Sequence, residues 1–198
     1  MIEFLKKYNM HIFILIVAIL TIYDLANWNS LSLVRKLVNV FAVLGILHEI
    51  EEKYWPGGFM ELMLKKLKVN ISDFDTETAK MNVVIFWLVY IFLGYVFDNM
   101  IFFVMMTVVL SLFEAFIHTA GIKIHKLDKP YTPGLVTAWL MAIVAVYAII
   151  QFNSLNMIHP TDYIIGFVLF VITFIMLANR TYALAGLSMS EVMSRIRK

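Results

Sequence analysis

The chain has 198 residues, 62% of them hydrophobic and only 15% charged, and it contains no cysteine. A mean hydropathy of +0.83 excludes an ordinary soluble domain, and the missing cysteines exclude a disulfide framework and a thiolate metal site. The formal net charge of +2 gives no reason to expect nucleic acid as a partner, so the placement of the charges matters more than their sum.

In chain order, six apolar stretches approach the roughly 20 residues that a helix needs to cross a bilayer. They run over about 8–27, 33–53, 80–98, 100–122, 132–152 and 161–180. The first follows Lys6 and Lys7 but leads into "IYDLANW", which has no small-residue cleavage pattern, so it is expected as a retained span. The second begins with Arg35, Lys36 and Asn39 and ends in carboxylates, and its charged ends can snorkel to the interfaces. Between the second and third spans, "GFMELMLKKLK" interleaves apolar residues with Glu61, Lys65, Lys66 and Lys68. That pattern predicts a short amphipathic helix lying on the membrane surface. The Ser/Asp/Thr cluster after it caps the third span. A tight turn at Asp98–Asn99 joins spans three and four, and a basic helix is expected beyond Arg180. The expected fold is all-α: one transmembrane bundle of about six helices over residues 1–198, with that interfacial helix after span two.

Lysine and arginine collect on one side. The side that holds the N-terminus takes fourteen of them, Arg197 and Lys198 included, and the other takes only Arg35 and Lys36. The positive-inside bias then places both termini in the cytoplasm. The lysines near 65–68 and 123–129 read first as this ordinary signal plus contact with anionic lipid. The functional alternative is recognition of a phosphate-bearing head group.

The polar residues inside this frame carry the chemistry. Spans two and four both end on the basic side. His48 precedes Lys53 by five residues, and His118 precedes Lys123 by five. The two imidazoles therefore sit at matching depth, about 7 Å inside the first lysine of each loop. His48, Glu51 and Glu52 share a helix face, as do Glu114 and His118, whereas Glu49 lies about 100° away and is expected at a solvated edge. Glu114 falls near mid-bilayer, where a carboxylate costs a few kcal/mol unless it is paired, protonated, metal-bound or wet. The acids after His48 also lie at a helix C-terminus, where the macrodipole disfavours them. A cation held by His48, His118, Glu51 or Glu52, and Glu114 relieves both costs. Imidazole with carboxylate suits zinc, iron or manganese. His125 is expected at the surface of a basic loop, His11 and His159 are taken as structural, and Asp24, Asp98 and Asp162 read as caps or turn residues. Pro130, Pro133 and Gly134 impose a turn into span five, with Pro133 near its first helical position. Tyr131 is either an interfacial anchor or a proton donor leaning over the His/Glu cluster.

"HEIEE" at 48–52, "EAFIH" ending at His118, and "YTPG" at 131–134 follow in order. With these strings the chain resembles the HXXEE-domain family of bacterial membrane proteins, whose function is unknown. The likeness spans residues 40–140. The family's second motif, Asn-x-x-x-His with a later Tyr-x-Pro-Gly, puts His118 on the motif histidine and Tyr131, Pro133 and Gly134 on the later element. The asparagine position holds Glu114 instead, and the spacing to Tyr131 is long. The resemblance implies a bacterial plasma-membrane protein and supports the choice of residues without supplying a reaction.

The expected activity is that of a metal-dependent membrane enzyme using a divalent ion, zinc or iron. The preferred reaction is hydrolysis of a lipid or other hydrophobic small molecule. His48, Glu51, Glu52, Glu114 and His118 are the candidate ligands, and Glu51, Glu52 and Tyr131 the candidate catalytic groups. A metal-free His/Glu isomerase or cyclase of a sterol- or terpene-like substrate remains open, as does a protein that handles protons or metal without catalysis.

Overall fold

The computed structural model describes residues 1–196; Arg197 and Lys198, counted above on the basic side, lie outside the described residues. Among the described residues there are eight helices and no strand. They are α1 (Ile2–Ala26), α2 (Leu33–Lys53), α3 (Phe59–Lys66), α4 (Thr76–Val96), α5 (Ile101–Ile124), α6 (Leu135–Ser154), α7 (Pro160–Ala183) and α8 (Met189–Ile196). Five of them, α1, α4, α5, α6 and α7, are long and apolar enough to cross a membrane. The expected sixth, α2, matches α4 in length at 21 residues. It fails on composition because Arg35, Lys36, Glu49, Glu51, Glu52 and Lys53 crowd its ends.

The sequence dictates where the helices start. Asp75 accepts the Thr78 amide at 3.0 Å and so caps α4, from within the predicted Ser/Asp/Thr cluster. Ser32 accepts the Arg35 amide and caps α2. His159 and Asp162 form a reciprocal capping box at α7, with Pro160 at its first position.

α5 is the central helix. It packs against α6 and α7 most extensively, and also against α4 and α2. Val104, Met105, Met106, Val108 and Leu110 of α5 are fully buried in the main core. α6 meets it through Ala138 and Ala142 against Ala115, and buries Ala145 and Ala148 in the main core. Small side chains let helix backbones approach where lipid provides no hydrophobic drive. Gly166 does the same for α7: a Cβ there would lie 2.6 Å from the Met105 Cβ.

One end of the bundle gathers the start of α1, the end of α2, the start of α4, the end of α5, the start of α6 and the end of α7. Lys6 pairs with Asp75 there at 3.3 Å, and Arg195 of α8 donates to the Leu67 carbonyl. Arg35 pairs with Asp98 at the opposite end, at 3.2 Å. The predicted surface helix α3 does more than lie on lipid. Leu64 packs on Phe74 and Ala79, and Leu67, just past the end of α3, packs on Leu187 and Val192. α3 therefore closes over the basic end of the bundle.

Asp24 departs from its expected role as a cap. It is fully buried and accepts from the Asn39 amide at 2.7 Å and the Tyr95 hydroxyl at 2.6 Å. It therefore ties α1 to α2 and α4. Asp24→Ala strands both donors in a dry site, at a cost of about 2–4 kcal/mol. The thermal unfolding midpoint in detergent should fall clearly for Asp24→Ala and less for Asp24→Asn, which keeps one acceptor oxygen. An unchanged midpoint in Asp24→Ala refutes the internal role.

Candidate metal centre

At the basic end, α2 and α5 bring four predicted residues together. Glu52 Oε1 lies 3.0 Å from His118 Nε2 and 3.6 Å from His48 Nε2. Glu114 Oε2 lies 3.6 Å from His118 Nε2 and 3.8 Å from His48 Nε2. One ligand atom from each residue lies within 4.8 Å of all the others. Four ligands at about 2.0–2.2 Å from a tetrahedral ion stand about 3.3–3.6 Å apart, so the set is close to the size of a single cation.

The far side of each imidazole is fixed by a threonine. His48 Nδ1 is 3.0 Å from Thr137 Oγ1, and that hydroxyl donates to Glu51 Oε2 or the Gly134 carbonyl. His118 Nδ1 is 3.2 Å from Thr132 Oγ1, whose hydroxyl donates to the His118 carbonyl at 2.9 Å. A hydroxyl carries one proton, so a threonine that donates it to these oxygens accepts the imidazole Nδ1–H. In the neutral ring both Nε2 lone pairs then face the centre, the outer-shell pattern that orients metal-binding histidines. His118 Nε2 is buried and has no hydrogen-bond partner of good geometry, despite the nearby Glu52 oxygen.

Both threonines flank the start of α6, which the spacing of His48 and His118 does not reveal. The nearest signal was Thr137 itself, a polar side chain in the first turn of an apolar span. Gly134 has φ +96, and a Cβ on it would come 2.5 Å from His118 Cε1 and 2.8 Å from Glu52 Cγ. The glycine of "YTPG" is therefore required twice, by its left-handed backbone and by the side chains pressed against it. Pro133 sits just before the Gly134 cap of α6 rather than at its first helical position. Phe59 of α3 covers the other side, with its ring 4.5 Å from that of His118.

Glu51 does not join this group, and the expectation of a ligand there is corrected. Its Oε1 accepts from the Tyr131 hydroxyl at 2.8 Å and the Val136 amide at 3.2 Å. Its Oε2 accepts from the Thr137 amide at 2.8 Å and the Thr137 hydroxyl at 2.5 Å. Four donors occupy the carboxylate, and two of them are unsatisfied first-turn amides of α6, a natural anion site. Tyr131 consequently points at Glu51 and not into the four-residue group. Burial and then the Glu51 charge push its phenol pKa up, so it stays a donor. Glu49 is corrected too: it is buried, not solvated. It accepts from Trp87 Nε1 at 2.9 Å and pairs with Lys53.

The centre opens onto a cavity of about 340 Å³. His48, Glu52 and Glu114 line it at one side, and Phe86, Phe113 and Phe174 line its apolar part. His125, expected as a surface residue, lines it as well. Burial and then the nearby Lys66 hold its pKa below the usual imidazole value.

Residues 39–149 match the family described as "Protein of unknown function with HXXEE motif". The chain belongs to this family. No curated protein and no solved structure matches it. The HXXEE match runs from the middle of α2 into α6 and contains all four clustered residues, Glu51, both threonines and Gly134.

Gly134→Ala should unfold or loosen this end, costing about 2–4 kcal/mol through strain and overpacking. Differential scanning fluorimetry in detergent checks it. Gly121→Ala, where a Cβ meets the Thr132 methyl at 3.2 Å and His125 Cδ2 at 3.7 Å, should cost much less. Equal midpoints for the two variants would remove the argument.

Proposed function

We propose that this HXXEE protein is a membrane-embedded, divalent-metal-dependent hydrolase of a lipid-like substrate. The observation that carries the reading is the convergence of two imidazole nitrogens and two carboxylate oxygens on one point at the wall of an apolar cavity. His48, His118, Glu52 and Glu114 would hold the ion, and two carboxylates balance its charge. When bound, a divalent ion supplies Lewis acidity, polarising an ester or phosphoester oxygen and making water acidic near neutral pH.

The chain's own residues do the rest. Thr132 and Thr137 hold the imidazoles in the Nδ1–H tautomer. Glu51 and Tyr131 position α2 against α6. Glu52 and Glu114 each have a second carboxylate oxygen free of the four-atom convergence, and either can take a proton from water held in the cavity. Phe59, Phe86 and Phe113 keep bulk water away. The basic end of the bundle faces the cytoplasm in this reading, by the positive-inside rule. The membrane is then the bacterial plasma membrane, with α2 as a sixth span supported on four sides by α1, α4, α5 and α6.

The test is elemental analysis of protein purified without chelator, from several growth media. About one ion per chain is expected, with loss in His48→Ala, His118→Ala and the nearly isosteric Glu52→Gln and Glu114→Gln. Thr132→Val and Thr137→Val should weaken metal affinity about 10–100-fold. Substoichiometric metal in every medium sinks the metal reading and favours the metal-free acid–base one. Metal identity adds a second decision: four protein ligands complete a tetrahedral zinc ion, whereas six-coordinate iron or manganese retains positions for substrate. Metal retained without hydrolysis of ester or phosphoester lipids in liposomes would favour metal handling without catalysis.

A further inference from the structure

The cavity is polar at two places, and only one of them is the candidate centre. The other is its mouth, where Lys66 at the end of α3 and His125 at the end of α5 both line the wall. Lys53 lines it too but is paired with Glu49. Among the described residues Lys66 pairs with no carboxylate. His125 follows His118 by seven residues, so the mouth lies about 10 Å above the centre along α5. Leu110 precedes His118 by eight residues, so the wall continues about 12 Å below it. There the wall is formed by Leu110, Phe113, Phe86 and Phe174. A neighbouring cavity of about 150 Å³ shares Phe59, Met63 and Phe174 and extends the apolar space under α3.

Cation at the mouth, His/Glu centre part-way down and apolar depth form an ordered gradient. We infer that the cavity takes an amphiphile with an anionic head group, held at Lys66 and His125, whose apolar chain runs past the centre towards Phe86, Phe113 and Phe174. As the identity of the substrate, this rests on the enzymatic reading; as a binding site, it stands on the cavity alone. A neutral glyceride or sterol would leave the Lys66 ammonium without a counter-charge. Free inorganic phosphate would satisfy Lys66 but leave the apolar part unfilled.

Trp87 lines the same cavity, while Trp28, Trp55 and Trp139 are exposed. Replacing those three by Phe makes Trp87 the sole tryptophan reporter. The protein in phosphatidylcholine nanodiscs is titrated with lysophosphatidate or monoacylglycerol bearing a dibrominated stearoyl chain, whose bromines quench tryptophan on contact. The anionic probe should quench Trp87 at about 5–10-fold lower mole fraction, the preference one ion pair of about 1 kcal/mol provides. Lys66→Ala with His125→Ala should erase the preference and leave metal content unchanged. Inorganic phosphate should not reverse the quenching. Equal quenching by both probes, or a preference that survives the double variant, overturns the inference, as does reversal by phosphate. Metal content on the same samples separates the two readings. Selective quenching without metal keeps the binding site and removes the metal enzyme, and metal without selective quenching does the reverse.

Discussion

The arrangement depends on one contact, the Glu51 carboxylate seated on the first turn of α6. Three acids in the last turn of an apolar helix face the negative end of that helix's own dipole. α6 starts where α2 ends, and its unpaired amides present the opposite partial charge. Glu51 takes the Val136 and Thr137 amides and thereby fixes the register of α2 against α6. Everything at the centre follows from that register. Thr137 meets His48, Thr132 meets His118, and the bare Gly134 backbone passes between His118 and Glu52. The three carboxylates end in three different surroundings, which relieves their mutual repulsion: Glu49 with Lys53 and Trp87, Glu51 on α6, Glu52 between two imidazoles.

Glu114 is the costly residue of the set. It sits a turn deeper than His118 and has no helix terminus to stabilise it. Among the described residues its ionisable partners within 4 Å are the two imidazoles. The family pattern it resembles has asparagine here, a neutral oxygen donor. The glutamate adds a full negative charge, so with Glu52 the ligand set carries two charges, equal to those of a divalent ion. Without an ion, the same balance is met by two protons shared among the two imidazoles and the two carboxylates. The threonine contacts are compatible with either state, because Nδ1–H donates in both.

Much of the fold was legible because hydropathy reports directly on lipid exposure. The predicted span 100–122 became Ile101–Ile124, whereas 33–53 is matched as the helix Leu33–Lys53 but is not apolar enough to count among the five candidate spans. The pairing of His48 with His118 followed from equal depth in two helices ending on the same side. Helical period alone could not separate Glu51 from Glu52, since both lie three or four residues from His48, on its two flanks. Which flank meets α5 and which meets α6 is decided by packing between segments more than 60 residues apart in sequence. Glu49 and Asp24 were misread for a related reason. An acid near a helix end is usually solvated, but here Gly45 leaves room for Trp87 to reach Glu49, and Tyr95 reaches back from α4 to Asp24. Neither partner announces itself in a run of aromatic residues.

The centre and the chamber beside it are built from separable parts. His48, Glu52, Glu114 and His118 are held by α2, α5 and the start of α6, through contacts that involve neither α7 nor α8. The far wall comes from Phe174, Leu177 and Tyr182 of α7, beyond the residues that match the family. None of these three is within hydrogen-bonding reach of a clustered residue, so exchanging them alters the width of the chamber without disturbing the imidazole tautomers. Among the described residues α8 meets the chamber wall at second hand, through Val192 and Arg195 against Leu67. The apolar walls of the chamber therefore come from α3, α4, α5 and α7 together, while the charged groups at its side come from the α2–α5–α6 junction.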